Sequence, residues 1–339
     1  MKIGFDAMGG DHAPFETVKG AVEALEIVEG EIILFGDETK IEQELSKYQY
    51  DKQRISIFHT TEVIENDDKP VKAIKGKADS SMVVGLKKLR KNEIDAFVSA
   101  GNTGALLAGG LLKVGRIKGI GRPALCTIYP TMSGASVLVD AGANAEVKSR
   151  NLIEFAYMGS LYAERVIGIS NPKVALVNIG AEETKGTSLY IETHQMLKDT
   201  DLNFVGNVEG RDVPSGKVDV IVADGFTGNI ILKLTEGVAL SIVGELKNQI
   251  MKNALGKIGG LLLKKNLSAF KRQLDYSEYG GAPLLGVNGL VVKAHGSSNA
   301  KAFKNAIKYA AIGVQTNLVS EISEKIKSLP VFEVKEEEL

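Results

Sequence analysis

Two acids, a histidine and adjacent glycines crowd the nine positions of "DAMGGDHAP" (6–14). Gly9 and Gly10 let the backbone approach a ligand closely, while Asp6, Asp11 and His12 bring charge and a titratable ring. The same mixture recurs in "GNTGA" (101–105), "DAGAN" (140–144), "AEETKGT" (181–187), "VEGRD" (208–212), "ADGFTGN" (223–229) and "HGSSN" (295–299). Glycine next to a helix start exposes backbone N–H groups that favour an anion. Thr103, Thr227 and the Ser297–Ser298 pair read as caps of three such starts, with Gly101 and Gly104 freeing the backbone around the first. The chemistry these groups support is the binding of phosphate or a phosphate-like ligand. Each loop alone reads as ordinary capping; the seven converge only if their strands form one parallel sheet.

The chain that must position them alternates strand-like and helix-like runs throughout. Strand patterns fall at 2–6, 31–36, 55–60, 95–100, 124–129, 136–142, 173–180, 203–208, 218–225 and 290–296. Several are almost wholly apolar, as in parallel strands covered on both faces. Helical periodicity occupies the intervals, Pro14 suits the first position of the first helix, and a last helix is expected from about Asn299 to Ser328. This alternation predicts an α/β fold with a doubly wound, mostly parallel sheet. Ligands of such sheets gather at the carboxyl ends of the strands, where the unusual loops fall. No repeat or low-complexity linker divides the chain, so one domain is expected over 1–330, followed by an acidic tail at 331–339.

Composition narrows the function further. The 339 residues carry a net charge of −1, which offers no overall basic field for nucleic acid. One cysteine, Cys126, sits in apolar "PALCTIYP"; it excludes an internal disulfide or a cysteine-cluster metal site and reads as a buried thiol in a reducing cytoplasm. The GxGxxG fingerprint, the P-loop, the GxSxG elbow and a metal-spaced histidine pair are missing, which argues against nucleotide, covalent-hydrolase and zinc chemistry. No apolar run reaches the roughly 18 residues of a membrane span. His59 and His194 lie in undistinguished contexts.

The stretch 246–274 differs in kind. From Lys247 to Arg272 it has seven basic residues and no acid. Its helical spacing breaks at Gly259–Gly260 and resumes with bare Leu261, Leu262 and Leu263. A helical hairpin over about 242–275 is expected, with an apolar tip rimmed by Lys257, Lys264 and Lys265. Such a tip suits an anionic membrane surface, an acidic protein partner or a dimer contact.

Nine motifs in order resemble the PlsX-type phosphate acyltransferases: the seven loops above with "GRPA" (121–124) and "YGGAPLLG" (279–286). The resemblance runs from residue 6 to beyond 300. It implies a fold similar to the isocitrate and isopropylmalate dehydrogenases and to phosphate acetyltransferases. It implies transfer of a fatty acyl group from acyl carrier protein to inorganic phosphate, without cofactor or metal. It further implies a homodimer, a cytoplasmic enzyme at the inner face of the membrane, and a downstream glycerol-3-phosphate acyltransferase that uses the acyl phosphate in phospholipid synthesis. Phosphate is then the nucleophile, so no acyl-enzyme is required. Lys185 is the candidate cation, Asn102, Asn144 and Asn229 are candidate oxyanion donors, and His12 and His295 are candidate proton-transfer groups. Asp6, Asp140, Asp224, Gly9, Gly10, Thr103, Gly104, Thr227 and Ser297 complete the expected substrate-binding set. Asp6 and Asp140 could equally cap their own loops.

Overall fold

The computed structural model describes residues 1–273 and 279–329. The expected acidic tail at 331–339 lies outside the described residues. Eleven strands form one sheet: β1 (Lys2–Asp6), β2 (Glu31–Gly36), β3 (Ile55–His59), β4 (Ala96–Ser99), β5 (Ala124–Thr131), β6 (Gly134–Val139), β7 (Val174–Asn178), β8 (Phe204–Glu209), β9 (Val220–Val222), β10 (Ala282–Leu285) and β11 (Leu290–Lys293). The helices are α1 (Phe15–Ala24), α2 (Glu38–Leu45), α3 (Pro70–Gly76), α4 (Ser81–Arg90), α5 (Thr103–Gly109), α6 (Ser149–Tyr162), α7 (Ser188–Lys198), α8 (Gly225–Met251), α9 (Ala254–Gln273), α10 (Ala300–Gln315) and α11 (Leu318–Ser328).

The strand order is β3-β2-β1-β4-β11-β10-β5-β6-β9-β7-β8. The first five strands are mutually parallel, and so are the last four. Between them β10 runs antiparallel to both β11 and β5, and β5 runs antiparallel to β6. The sheet is therefore mostly parallel, as expected, but its two parallel halves point in opposite directions. The loops do not share one edge of a single parallel sheet. Register brings their ends together instead. Lys293, the last residue of β11, pairs with Ala282. Leu284 pairs with Leu125, and Cys126 pairs with Val139, the last residue of β6. The carboxyl ends of β11 and β6 thus stop within about one residue's rise, ~3.3 Å, of the same level.

Alternation along the strands sorts the core onto two faces. Ile3, Phe5, Ala96, Val98, Val137, Val139, Val220 and Val222 belong to one continuous cluster. On the opposite face the core is split. Phe97 and Val291 pack with α4 and α5 residues in one cluster, and Leu138, Ile221 and Tyr129 form another beside α8. Cys126 sits fully buried in the continuous core, where burial pushes its thiol up, in accord with an inert residue.

Three boundaries differ from the expected ones. β10 lies in the glycine- and proline-containing "YGGAPLLG", which carries no clear strand alternation. The last helix is two, because Asn317 takes a left-handed conformation between α10 and α11. The projecting pair of helices is α8 and α9, and it breaks at Lys252–Asn253. Gly259 and Gly260 lie inside α9, where Gly260 packs closely against Ile250. α8 is also 27 residues long and apolar enough, by length and composition, to cross a membrane, contrary to the expectation that no such run exists. Its first turn is fastened into the fold: a Cβ on Gly228 would stand 2.0 Å from the Asp140 carbonyl oxygen. Gly228→Ala is expected to force α8 off this loop and destabilise the protein by about 1–3 kcal/mol, read by chemical denaturation.

Candidate active site

A cavity of about 640 Å³ opens where the core is split. The end of β4 supplies Ala100, Gly101 and Thr103, and the end of β11 supplies Lys293, Ala294, His295 and Gly296. The end of β6 supplies Ala141, and the start of α8 supplies Asn229, Leu232 and Lys233. The wall continues as Leu125, Ile128, Tyr129 and Pro130 of β5 and Ala239, Leu240 and Val243 of α8. One end is therefore polar and cationic, and the other is an apolar trough.

Buried carboxylates shape the loops around it. Asp6 accepts from the Ser99 hydroxyl at 2.6 Å and the Met8 amide at 3.2 Å. Ser99 in turn accepts from Gly101 N at 3.1 Å. Burial raises the Asp6 pKa, against those hydrogen bonds. A Cβ on Gly9 would lie 2.7 Å from Gly101 N, so the loops after β1 and β4 touch through glycine. Gly10 adopts φ +112° and lets the chain turn so that Asp11 N donates to the Gly296 carbonyl at 2.8 Å.

Asp140 is fully buried and accepts five hydrogen bonds, from the amides of Leu125, Gly142, Ala143 and Asn144 and from the Asn144 side chain. Burial raises its pKa too. Asp224 caps α8, accepting from Thr227 N at 2.9 Å and from its hydroxyl at 2.8 Å. Tyr190 of α7 also donates to Asp224. The three acids hold loops together, which is the capping role the sequence left open for Asp6 and Asp140.

The expected caps are displaced. Asn102, Asp224 and Asn299 cap α5, α8 and α10, rather than Thr103, Thr227 and the serines. A short Asn or Asp side chain, one residue before Thr103, three before Thr227 and one beyond Ser298, reaches the free amides of the first turn. Ser297 instead pairs its hydroxyl with His295 Nδ1 at 2.8 Å. Asn102 is committed on both sides of its amide. Its oxygen accepts from Ala105 N at 3.0 Å, and its nitrogen donates to the carbonyls of Glu65, Asn66 and Asp68. Asn144 likewise spends its NH₂ on Pro123 O and Asp140. Neither has the free donors expected of an oxyanion group. Asn229 is exposed on the cavity wall.

Lys185 is exposed in the loop after β7 and does not line the cavity. β7 lies two strands beyond β6, roughly 10 Å across the sheet. His12 is also exposed and off the cavity wall, one residue beyond the Asp11–Gly296 contact. Gly104 packs towards Pro70 of α3. Thr103, Asn229 and His295 are the expected polar residues that the fold brings onto the wall. Burial and the nearby Lys233 lower the His295 pKa, which favours its neutral ring. His194 is buried, bonded to Asn207 at 2.9 Å, and plays a packing part.

The cations on the wall are Lys233 and Lys293. Lys233 pairs with Glu236 at 2.8 Å, and both side chains line the cavity. Lys293 is 9% exposed and donates to the Ala100 carbonyl at 3.3 Å and to the Ala294 carbonyl. Sequence reasoning missed it. The available signal was a lysine closing the apolar strand "LVVK", a place where burial is costly unless the charge is used.

Residues 1–321 match the model of a family described as fatty acid synthesis protein. A phosphate acyltransferase of Alkaliphilus oremlandii is 60% identical over 97% of this chain and 98% of its own. A phosphate acyltransferase of Clostridioides difficile is 52% identical over 96% of each. The fold is similar to that of a phosphotransacetylase from Streptococcus pyogenes, with a TM-score of 0.60 and 17% identity over 93% of this chain and 94% of that one. The chain belongs to the fatty acid synthesis protein family, among the phosphate acyltransferases.

Proposed function

We propose that this enzyme moves a fatty acyl group from acyl carrier protein to inorganic phosphate, by direct attack of phosphate on the thioester. The observation that carries this reading is the cavity's division into a cationic end and an apolar trough. Phosphate suits the end near Lys233, Lys293 and the start of α5, where positive charge and a helix N-terminus coincide. The acyl chain suits the trough between β5 and α8. The thioester carbonyl then lies at the junction, where Asn229 is the side-chain amide available to its developing oxyanion. Phosphate is anionic at neutral pH, so the protein's main task is to hold it against the carbonyl. Mass spectrometry of a mixture of acyl carrier protein thioester, phosphate and enzyme is expected to show acyl phosphate. Its absence would remove the reading.

The trough gives a second test. Ala239→Trp narrows it and is expected to raise KM for a long-chain thioester about tenfold while changing a short-chain thioester little. Equal effects on both would place the chain elsewhere.

The α8–α9 arm supports the proposed membrane and partner contacts. Leu255, Leu261 and Leu262 are 82%, 72% and 80% exposed, beside exposed Lys257, Lys264 and Lys265. Apolar side chains rimmed by lysines suit an anionic bilayer, and the bare face of α8 suits a second copy of the chain. Such contacts fit an enzyme working at the inner face of the membrane, from which acyl phosphate would pass to a membrane glycerol-3-phosphate acyltransferase. Leu261→Glu with Leu262→Glu is expected to abolish flotation with anionic liposomes while turnover in solution stays within about threefold. Unchanged flotation would exclude these residues as the anchor.

A further inference from the structure

Thioester transfer to phosphate needs a proton at the leaving sulfur. Direct attack by phosphate does not by itself supply that proton. His295 is a poor source, since its neutral ring has Nδ1 engaged with Ser297. The buried carboxylates are turned onto backbone amides, as described. Lys293 differs from all of these. It is buried to nine-tenths, it lines the polar end of the cavity, and two carbonyls take two of its three ammonium protons. The third N–H is left for a ligand. No carboxylate forms an ion pair with it among the described residues, although Asp6 and Asp11 act on it from a distance.

We propose, resting on the acyltransferase reading, that Lys293 binds the attacking phosphate and moves the proton of the reaction. A phosphate oxygen of HPO₄²⁻ attacks the thioester carbonyl carbon. The C–O bond forms, the C–S bond breaks, and the electron pair leaves with sulfur. The Lys293 ammonium gives its proton to that sulfur. The amine then takes the P–O–H proton from the new acyl phosphate, whose acidity rises on acylation. Thioester and HPO₄²⁻ become thiol and acyl phosphate dianion, and the ammonium is restored. No other reactant is consumed.

The surroundings tune this residue. Burial lowers the Lys293 pKa to about 8, with Asp6 and Asp11 opposing the shift and Lys233 adding to it. Glu236 of α8 pairs with Lys233, and His295 and Tyr279 also line the cavity beside it. A lysine so lowered gives its proton to an alkyl thiolate more readily than an ordinary lysine. The ammonium is the active form. Rate is therefore retained below pH 8 and lost as pH rises through about 8.

The test compares two thioesters of one acyl chain: a pantetheine thioester, whose sulfur needs a proton to leave, and a p-nitrothiophenol thioester, whose sulfur leaves as the thiolate. In the wild-type enzyme, with phosphate held saturating at every pH, kcat/KM for the pantetheine thioester should fall on the alkaline side near pH 8, and the aryl thioester should show no such limb. Lys293→Arg keeps the charge but does not release its proton. It should hold KM for phosphate within about threefold and lose about a hundredfold in kcat on the pantetheine thioester. The aryl thioester should restore it to within about tenfold of wild type. Lys293→Met should lose phosphate affinity as well, with thermal melting confirming that each variant folds. Equal deficits on both thioesters, or a wild-type alkaline limb indifferent to the leaving group, would overturn the assignment. A wild-type enzyme that makes acyl phosphate from neither thioester nor from acyl carrier protein would instead overturn the acyltransferase reading beneath it.

Discussion

The three successive antiparallel pairings, β11 with β10, β10 with β5 and β5 with β6, are the constraint on which the rest of the structure depends. Together they reverse half of an otherwise parallel sheet. An ordinary doubly wound sheet gathers its ligand loops along one edge. Here two parallel halves point opposite ways, and the register across β10 and β5 sets their carboxyl ends at nearly one level. The loops after β4 and β11 then face the loop after β6 and the start of α8 across one cavity. Shifting that register would move the polar end of the site away from its apolar trough.

Within this frame, charge is spent mostly on architecture. Asp6, Asp140 and Asp224 are all buried, and each draws backbone or hydroxyl donors onto its oxygens. Hydrogen bonds to charged groups contribute on the order of 1.5–3 kcal/mol each, enough to fix glycine-rich loops that have little packing of their own. Asn102 and Asn144 serve the same end with neutral amides. The polar density of these loops reflects how a site is held still as much as what it does. Of the polar strand-end residues expected at the site, Thr103, Asn229 and His295 face the cavity, beside Lys233, Glu236 and Lys293.

The sequence disclosed the class of fold and the importance of its strand-end loops, because alternation and glycine placement are local signals. It did not disclose the direction of each half of the sheet. β10 is four residues long, and its "APLL" carries no alternation to betray it. The helix caps were misplaced by one to three residues because Asn, Asp, Ser and Thr stand side by side in each loop and all suit a cap. Lys185 drew attention through its glycine-flanked loop, yet the distance from β7 to β6 is a tertiary fact. Lys293 went unnoticed for the opposite reason. It ends a buried strand, and only the three-dimensional structure shows an ammonium among apolar neighbours and carbonyls. The Gly259–Gly260 pair reads as a turn in sequence, but both lie inside α9, where Gly260 gives a close approach to Ile250.

The central claim is that this cavity brings phosphate directly to a thioester, with no group of the protein carrying the acyl chain. The intact mass of the enzyme tests it, measured after incubation with acyl carrier protein thioester in the absence of phosphate. The account predicts an unmodified protein mass and an undiminished thioester, with thiol released only when phosphate is added. A protein heavier by one acyl group, discharged on adding phosphate, would contradict it.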